Sequence, residues 1–218
     1  MPPPSLSRPP SSRSGEHRGY AKHTQFELDT RVTMMMRVPW KPASHGAMVD
    51  SLTELQDLYP TIASLLGLPP PQQRIDGDDV SALFDDPTKR VKQYAFSQYD
   101  RCPEPDEPVY FHPNCEEVAE GDIAVMGYGV RDDDWRLTQW YGWNGTSLTA
   151  DFAAGPMATE LYDHRGDDGL GDWEKWENDN VAAANPATVQ RLTGVLLGHY
   201  AGPLDDDDAD DANDDGLR

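Results

Sequence analysis

Hydrophobic residues in the first half of the chain change from a strand-like to a helix-like spacing. The apolar run 32–38 predicts a strand, which Pro39 ends. A helix is predicted next, with its apolar residues between Leu55 and Leu66. Gly67 should end this helix, and Pro60 should break it into two short helices. A further short helix is predicted over 80–84. The apolar residues of the longer helix recur at intervals of three and four, as on one helical face: Leu55, Leu58, Ile62, Leu65 and Leu66.

From Tyr94 onward, apolar residues occupy every second position, which is typical of strands with one buried face. Strands are predicted over 94–99, 124–131, 135–143 and 159–163. A run of aspartates over 132–134 should connect the second and third strands as an antiparallel hairpin. Asn185 and Pro186 should begin a helix over 187–200. The second half of the chain is therefore expected to form a four-stranded antiparallel sheet that carries one C-terminal helix.

Both ends of the chain have compositions that do not support a packed core. Residues 1–14 are mainly Pro, Ser and Arg, and residues 204–218 contain eight aspartates, so both segments are expected to be disordered. We interpret the acidic end as a solvated tail that favours solubility. Calcium binding is the alternative, but the segment lacks the glycine and the bidentate acid at the spacing of an EF-hand loop.

The charge balance excludes several classes of partner. The chain has 39 acidic and 18 basic residues and a net charge of −21, so its field repels nucleic-acid phosphates and anionic membranes. No apolar run approaches the roughly 18 residues of a membrane span, and the first residues lack the apolar core of a secretory signal. We therefore expect no nucleic-acid partner and no membrane association, and the compartment stays unknown.

Two cysteines, Cys102 and Cys115, lie in a proline-rich stretch. Two residues are too few for a disulfide framework or, alone, for a zinc site. They are interpreted either as two loop thiols or as a loop-closing disulfide formed in an oxidising compartment.

Several short motifs occur along the chain in a fixed order. Residues 15–22 read GEHRGYAK, and 26–39 lead through TRV to RVP. Residues 57–68 (DLYPTIASLLGL) are followed by 76–83 (DGDDVSAL). These motifs resemble the C-terminal part of the sulfatase family, of the alkaline-phosphatase-like superfamily. The segments that resemble the iduronate-2-sulfatase group in particular are 95–99, 126–131, 135–138 and 160–163.

The resemblance implies an alkaline-phosphatase-like α/β fold, of which this chain would hold the C-terminal portion. Residues 15–92 would be a remnant of the large α/β domain, and 93–203 would be the C-terminal antiparallel subdomain. Complete family members hydrolyse sulfate esters with a bound calcium ion and a formylglycine, which is made from the cysteine of a C-x-P-x-R motif. The substrates implied for a chain completed by its N-terminal part are sulfated carbohydrates or small sulfate esters.

The nucleophile motif of the family has no counterpart in this sequence. Cys102 is followed by PEPD and Cys115 by EEVA, so neither cysteine continues as x-P-x-R. The paired aspartates and the DHG segment that supply metal ligands in the family also have no counterpart. No metal site and no cofactor are therefore expected in this chain, whereas calcium and formylglycine are expected in the complete family member.

Three residues are candidates for a site that binds sulfate or substrate. Lys22 aligns with the sulfate-binding lysine of the family, which implies sulfate binding; a solvated surface lysine is the alternative. His17 lies in the same motif and is interpreted as structural, with substrate contact as the alternative. Arg131 matches an arginine at the end of a family strand. We expect it to pair with a nearby acid such as Asp133 or Asp163, and a substrate carboxylate is the alternative partner.

Aromatic residues alternate along the third predicted strand. Packing is the expected role, and a platform for stacking sugars is the alternative. The glycosylation sequon Asn144-Gly145-Thr146 follows this strand and becomes meaningful only in a chain that enters the secretory route. The aromatic residues concerned are Trp135, Trp140, Tyr141 and Trp143.

Two hypotheses about function follow from these observations. In the first, the chain is the C-terminal part of an iduronate-2-sulfatase-like hydrolase, truncated in its gene model or encoded apart from its catalytic half, and inactive alone. In the second, it is a non-catalytic module that kept the subdomain for binding or assembly. Under either hypothesis, the chain would expose an open sheet edge and an apolar face. Self-association through the sheet edge is therefore a further expectation.

Overall fold

The computed structural model describes residues 13–14, 20–21, 24–69, 72–103, 111–112, 115, 118–169 and 175–202. Residues 1–12 and 204–218, for which the sequence predicts disorder, lie outside this set. Arg13–Ser14 (β1), included in that prediction, pair antiparallel with Tyr20–Ala21 (β2). The helices of the described part are α1 (Glu27–Thr30), α2 (Leu58–Leu65) and α3 (Pro186–Tyr200).

The central sheet confirms the predicted four-stranded antiparallel arrangement. Its long strands are β3 (Ala95–Pro103), β5 (Val125–Arg131), β6 (Trp135–Asn144) and β8 (Ala158–Asp163), and they lie side by side in that order. Two strands of two residues extend it: β4 (Phe111–His112) pairs with the end of β3, and β7 (Thr149–Ala150) pairs with the end of β6. With α3 and the helices of the first half, the fold is mixed α/β, as expected.

The core lies between one face of this sheet and α3. Leu192 and Leu196 of α3 are both 0% exposed and pack in one cluster with Leu137 and Leu161, which are also 0% exposed. Alternate residues of β5 and β6 supply the remaining apolar contacts, because successive side chains of a strand point to opposite faces. The opposite face of the sheet is thereby left for polar and charged residues.

The first half of the chain departs from two predictions. None of residues 32–38 lies in a strand, because a strand needs a hydrogen-bonded neighbour and neither sheet of the described residues extends to this segment. Pro60 does not break its helix either. It lies in the first turn of α2, where its missing N–H has no intrahelical role, and the change from the 3-10 turn Leu55–Asp57 to α-helix comes before it. The short helix expected over 80–84 is a 3-10 turn, Ser81–Phe84.

The apolar side of α2 faces outward. Leu55, Tyr59, Ile62 and Leu66 recur at intervals of four, three and four, and their exposed fractions are 59%, 60%, 44% and 56%. We call these four residues the apolar face. Buried residues of the helix, such as Thr61 at 0% exposed, lie on its other side. A contiguous exposed apolar surface of this kind is typical of a site of contact with another protein surface.

Both outer edges of the central sheet are partly covered by polar side chains. Along β8, the Leu161 N–H donates to Asn180 Oδ1 (3.0 Å), and Asn180 Nδ2 donates to the Thr159 carbonyl (3.0 Å). On β3, the Phe96 N–H donates to Glu54 Oε1 (2.9 Å). These contacts occupy some of the backbone groups that a further strand would need.

Cys102, near the end of β3, forms a disulfide with Cys115, and both residues are buried. Of the two interpretations open from the sequence, the structure therefore has the loop-closing disulfide. Of the helices in the described part of the chain, none combines the length and the apolar composition of a membrane-spanning helix.

Replacing Cys102 and Cys115 together by serine is expected to lower the free energy of unfolding by about 3 kcal/mol, because the bond closes a loop with a sequence separation of 13. Urea unfolding of the wild type and the double variant measures the difference. Reductant should destabilise the wild type to the level of the variant and leave the variant unchanged. Superimposable curves for oxidised and reduced wild type would contradict the prediction.

Candidate functional site

A group of buried charged side chains lies between α1, the β5–β6 hairpin and the residues after β8. Because buried charges are stable only when paired, this group fixes α1 to the polar face of the sheet. We call it the buried charge cluster. Its members are Glu27, Arg131, Arg136, His164, Asp167 and Glu177, and Arg31, whose side chain is 40% exposed, lies at its rim.

Glu27, at the centre of the cluster, is 8% exposed. Arg131 Nε donates to its Oε2 (3.0 Å), and Arg31 Nη1 donates to its Oε1 (2.9 Å). Its own backbone N–H donates to Glu177 Oε2 (2.6 Å). Burial by itself raises the pKa of Glu27, but the attraction of the neighbouring cations, led by Arg131, outweighs burial and lowers the pKa to about 2. The carboxylate is therefore ionised at neutral pH.

His164 has carboxylates at both ring nitrogens. Its Nδ1 lies 3.0 Å from Asp167 Oδ2 and 3.3 Å from Glu27 Oε2, and its Nε2 lies 3.6 Å from Glu177 Oε1. Arg136 Nε lies 3.4 Å from the same Glu177 oxygen. The last three atoms, His164 Nε2, Arg136 Nε and Glu177 Oε1, are buried and make no hydrogen bond to any residue that the structure describes. The Arg136 guanidinium and the Glu177 carboxylate therefore attract each other by charge without an aligned hydrogen bond between these two atoms.

The cluster does not fit the calcium ion that the sulfatase resemblance implies. One ligand atom each from Glu27, His164 and Glu177 lies within 4.8 Å of the others. Calcium prefers six to eight oxygen ligands, whereas Arg131, Arg31 and a backbone N–H already engage three of the four carboxylate oxygens. The arginines also supply the positive charge that the acids require. The cluster is therefore an ion-pair network with a positioning role.

The structure corrects the expected partner of Arg131. Its guanidinium pairs with Glu27 rather than with Asp133 or Asp163, each of which pairs with a different arginine. The expectation that Arg131 pairs with an acid is confirmed, but that acid is Glu27, 104 positions away in the sequence. The other expected site residues, His17 and Lys22, lie outside the described residues, and their roles stay predictions.

The segment just after Lys22 is bound tightly to the sheet. Gln25 is 4% exposed; its Nε2 donates to the Gly127 carbonyl (2.8 Å), and its Oε1 accepts from Ser97 Oγ (2.6 Å). A Cβ at Gly129 would lie 2.5 Å from Ser97 Oγ and 3.0 Å from Gln25 Oε1. This glycine of the MGYGVR motif therefore leaves the space in which Gln25 contacts the sheet.

A second buried acid holds the region around α2. Asp57, 0% exposed, accepts hydrogen bonds from the backbone N–H groups of Glu54 (2.7 Å) and Asp78 (2.8 Å) and from Lys92 Nζ (2.8 Å). Burial lowers the pKa of Lys92, but its hydrogen bonds to Asp57 and Glu54 outweigh burial and raise the pKa. The hydrogen bond from the Asp78 N–H to Asp57 joins the start of α2 to the segment around Asp78.

The aromatic residues of β6 divide between the two faces of the sheet, as expected from their alternation. Trp135 and Tyr141 are buried at 9% and 1% exposed, which fits a packing role. Trp140 is half-buried on the polar face, where its Nε1 donates to Glu160 Oε1 (2.8 Å), and the guanidinium of Arg101 lies 5.2 Å from its ring centre. Sugar stacking by Trp140 stays a prediction.

Sequence reasoning did not identify Glu27, His164 or Glu177. The spacing of Glu27 and Arg31, four residues apart, is a usable signal for a helical ion pair. His164 and Glu177 carried no such signal, because neither belongs to a regular pattern of apolar or charged residues in the sequence. Their roles emerge only when the fold brings four distant segments together.

Comparison with known proteins finds iduronate 2-sulfatases among the similar curated proteins. No protein-family model matches the chain. Iduronate 2-sulfatase of Mus musculus is 31% identical over 193 residues, which cover 68% of this chain and 33% of the mouse protein. The Homo sapiens iduronate 2-sulfatase is 27% identical and is covered to 34%. A solved phosphonate monoester hydrolase from Silicibacter pomeroyi superimposes on 72% of the chain and 26% of its own, with 26% identity and a TM-score of 0.45.

The chain thus spans about a third of the length of the curated relatives that it matches. Sequence identity and the order of the motifs agree, and over about two thirds of its length the chain is homologous to iduronate 2-sulfatases, which are sulfatases.

Proposed function

We propose that this chain is the C-terminal portion of an iduronate-2-sulfatase-like sulfuric ester hydrolase. Its substrates are sulfated carbohydrates or small sulfate esters, on which it acts when completed by a catalytic N-terminal portion. The observation that carries the proposal is the 31% identity with mouse iduronate 2-sulfatase over 68% of the chain.

Lys22 binds the sulfate group in this proposal. A sulfate ester is an anion, and further negative charge develops on the leaving oxygen, so an ammonium group placed there lowers the barrier. The buried charge cluster supports this role, because Glu27, the first residue of α1, follows Lys22 by only five positions in the sequence. A fixed α1 limits the positions that the Lys22 ammonium reaches, which favours orientation of the substrate.

Arg131 acts as a positioning residue in this scheme. Its Nε is committed to Glu27 at 3.0 Å, and both side chains are largely buried. A guanidinium held in this way serves the anchoring of α1 better than contact with a substrate carboxylate. His17, in the same motif as Lys22, has a structural role in the loop.

The isolated chain does not turn over sulfate esters in this proposal. Its sequence has no C-x-P-x-R motif for a formylglycine, and the buried charge cluster does not fit calcium. Formylglycine, which supplies the nucleophile, and calcium, which activates it, belong to the catalytic portion of a complete family member.

The apolar face contacts that catalytic portion. Its four side chains are between 44% and 60% exposed, and the matched relatives are about three times as long as the part that this chain covers. The missing portion is therefore the proposed occupant of the surface. Self-association is the competing occupant, and it would use the apolar face rather than the sheet edges, whose backbone groups Asn180 and Glu54 partly cover.

A chimera tests the proposal. The full chain replaces the matching third of mouse iduronate 2-sulfatase, and sulfate release from an aryl sulfate and from a sulfated disaccharide is measured. We expect measurable turnover that Lys22→Ala lowers by roughly 100-fold or more, as when a charge-stabilising donor is removed. Lys89→Ala, at an exposed lysine, is the matched control and should retain the activity of the chimera.

The isolated chain separates the two functional hypotheses. It should release no sulfate from the same substrates. Retention on heparin-like sulfated oligosaccharides without hydrolysis would favour a non-catalytic binding module. Sulfate release by the isolated chain, lost in the Lys22→Ala variant, would overturn the proposal that catalysis needs a second portion.

A further inference from the structure

The hairpin turn between β6 and β7 carries the triplet Asn144-Gly145-Thr146. The sequence contains an N-x-S/T triplet once, at this position, and the middle residue is not proline. Asn144 is the last residue of β6 and pairs with Thr149 of β7, so residues 145–148 form the turn itself. The triplet thus lies in the turn of a hairpin, and surface turns of this kind tolerate the addition of a large group on their exposed side.

The side chain of Asn144 is exposed and held in a defined orientation. Its Oδ1 accepts hydrogen bonds from the backbone N–H groups of Thr146 (3.0 Å) and Ser147 (3.1 Å). Both contacts use the oxygen, and neither uses Nδ2, the atom that receives a glycan. Thr146 is also exposed, so the hydroxyl that completes the triplet is accessible together with the amide.

The close packing of Gly145 leaves space for an added group only on the solvent-facing side of the turn. A Cβ at this residue would lie 1.8 Å from the Glu120 carbonyl oxygen, so the turn rests directly on the 3-10 turn Glu120–Asp122. Packing fixes the inner side of the triplet and requires glycine in its middle. Asn144 and Thr146 are left on the open side, together with Leu148, which is 61% exposed.

An independent feature of the fold points to the compartment in which such triplets are modified. The disulfide between Cys102 and Cys115 is typical of proteins that fold in an oxidising environment. N-linked glycans are added to proteins on the secretory route, which passes through such an environment. The disulfide and the exposed triplet are therefore both consistent with a protein that follows the secretory route.

We propose that Asn144 is a site of N-linked glycosylation. Nδ2 forms a bond to the anomeric carbon of an oligosaccharide carried on a lipid diphosphate. The bond between that carbon and the diphosphate oxygen breaks, and the lipid diphosphate leaves with the electron pair. Nδ2 gives up one proton to a carboxylate base of the transferase. The attached glycan covers the exposed tip of the hairpin, including Leu148.

Translation of the full chain behind a secretory leader, in a lysate that contains microsomes, tests the site. Gel mobility is compared before and after treatment with a glycosidase that removes N-linked glycans. We expect one glycosidase-sensitive shift in the wild type, retained in Thr146→Ser and lost in Asn144→Gln and Thr146→Val. Asn178→Gln, at an exposed asparagine outside any such triplet, is the matched control and should keep the shift.

Two results would overturn the inference. One is a wild-type chain that is protected from added protease inside the microsomes and yet shows no glycosidase-sensitive shift. The other is a shift that remains in Asn144→Gln. Because Thr146→Val changes an exposed residue and keeps Asn144, its loss of the shift separates loss of the recognition triplet from misfolding of the asparagine variant.

Discussion

Glu27→Gln is expected to lower the free energy of unfolding by about 3 kcal/mol at neutral pH and to remove much of its dependence on acid. The pKa of Glu27 is about 2 in the folded protein and 4.5 as the ordinary value. That difference corresponds to about 3 kcal/mol at about 1.4 kcal/mol per unit. The neutral amide leaves Arg131 and Arg31 without their buried anion, which is the physical origin of the loss.

The sign of the pH effect follows from the lowered pKa. The folded state holds Glu27 ionised more strongly than the unfolded state, so its stabilisation is fully present above about pH 4.5 and is lost as pH falls toward about 2. Urea unfolding at a series of pH values across this window measures the slope for wild type and variant. Glu120→Gln, at an exposed acid, is the control and should keep the wild-type slope. Parallel slopes for wild type and Glu27→Gln would contradict the assignment.

The double variant Ile62→Lys, Leu66→Lys is expected to have opposite outcomes in two contexts. In the isolated chain, both side chains are already 44% and 56% exposed, so the free energy of unfolding should change by less than about 1 kcal/mol. In the chimera with the mouse catalytic portion, the two ammonium groups would be buried against an apolar surface, at a cost of several kcal/mol. Assembly and sulfatase activity of the chimera should then be lost.

Thermal unfolding of the isolated chain and secretion and sulfate release of the chimera measure the two outcomes. Met157→Lys places the same charge at a residue that is 68% exposed and outside the apolar face, and it should be tolerated in both contexts. A fully active double-variant chimera would show that the catalytic portion packs elsewhere. A large loss of stability in the isolated chain would show that the apolar face already has a partner within this chain.

The sheet and α3 were predictable from the sequence because their signals are local. Alternation of apolar residues indicated the four long strands, and each of these begins within one residue of its predicted start, as in Val125–Arg131 against 124–131. The strand predicted over 32–38 failed because an apolar run specifies an extended segment, whereas a strand also requires a neighbour. In the described part of the chain that neighbour is missing, and Met35 is 83% exposed.

The buried charge cluster was not predictable in the same way. Polar residues such as Glu177 are ordinarily exposed, and a single sequence offers no signal that 27, 131, 164 and 177 converge. The choice of Asp163 for Arg131 failed for a related reason. In the observed register Asp163 pairs with Trp135, and its carboxylate binds Arg165 two residues away. The partner of Arg131 is Glu27, 104 positions away, and no local pattern in the sequence indicates that contact.

Gly127 and Gly129 leave a shallow slot in the polar surface of the sheet. Gln25 lies in this slot, bonded to the Gly127 carbonyl, while the ring of Trp140 fills the space above Gly127. The chain next to Thr24 can approach the sheet closely because Gly127 and Gly129 have no side chains. A Cβ at Gly129 would crowd Gln25, and a Cβ at Gly127 would meet the ring of Trp140, so a side chain at either position would disturb this arrangement. Two glycines that make no contact with substrate in the proposed scheme therefore determine how closely the segment before α1 approaches the sheet.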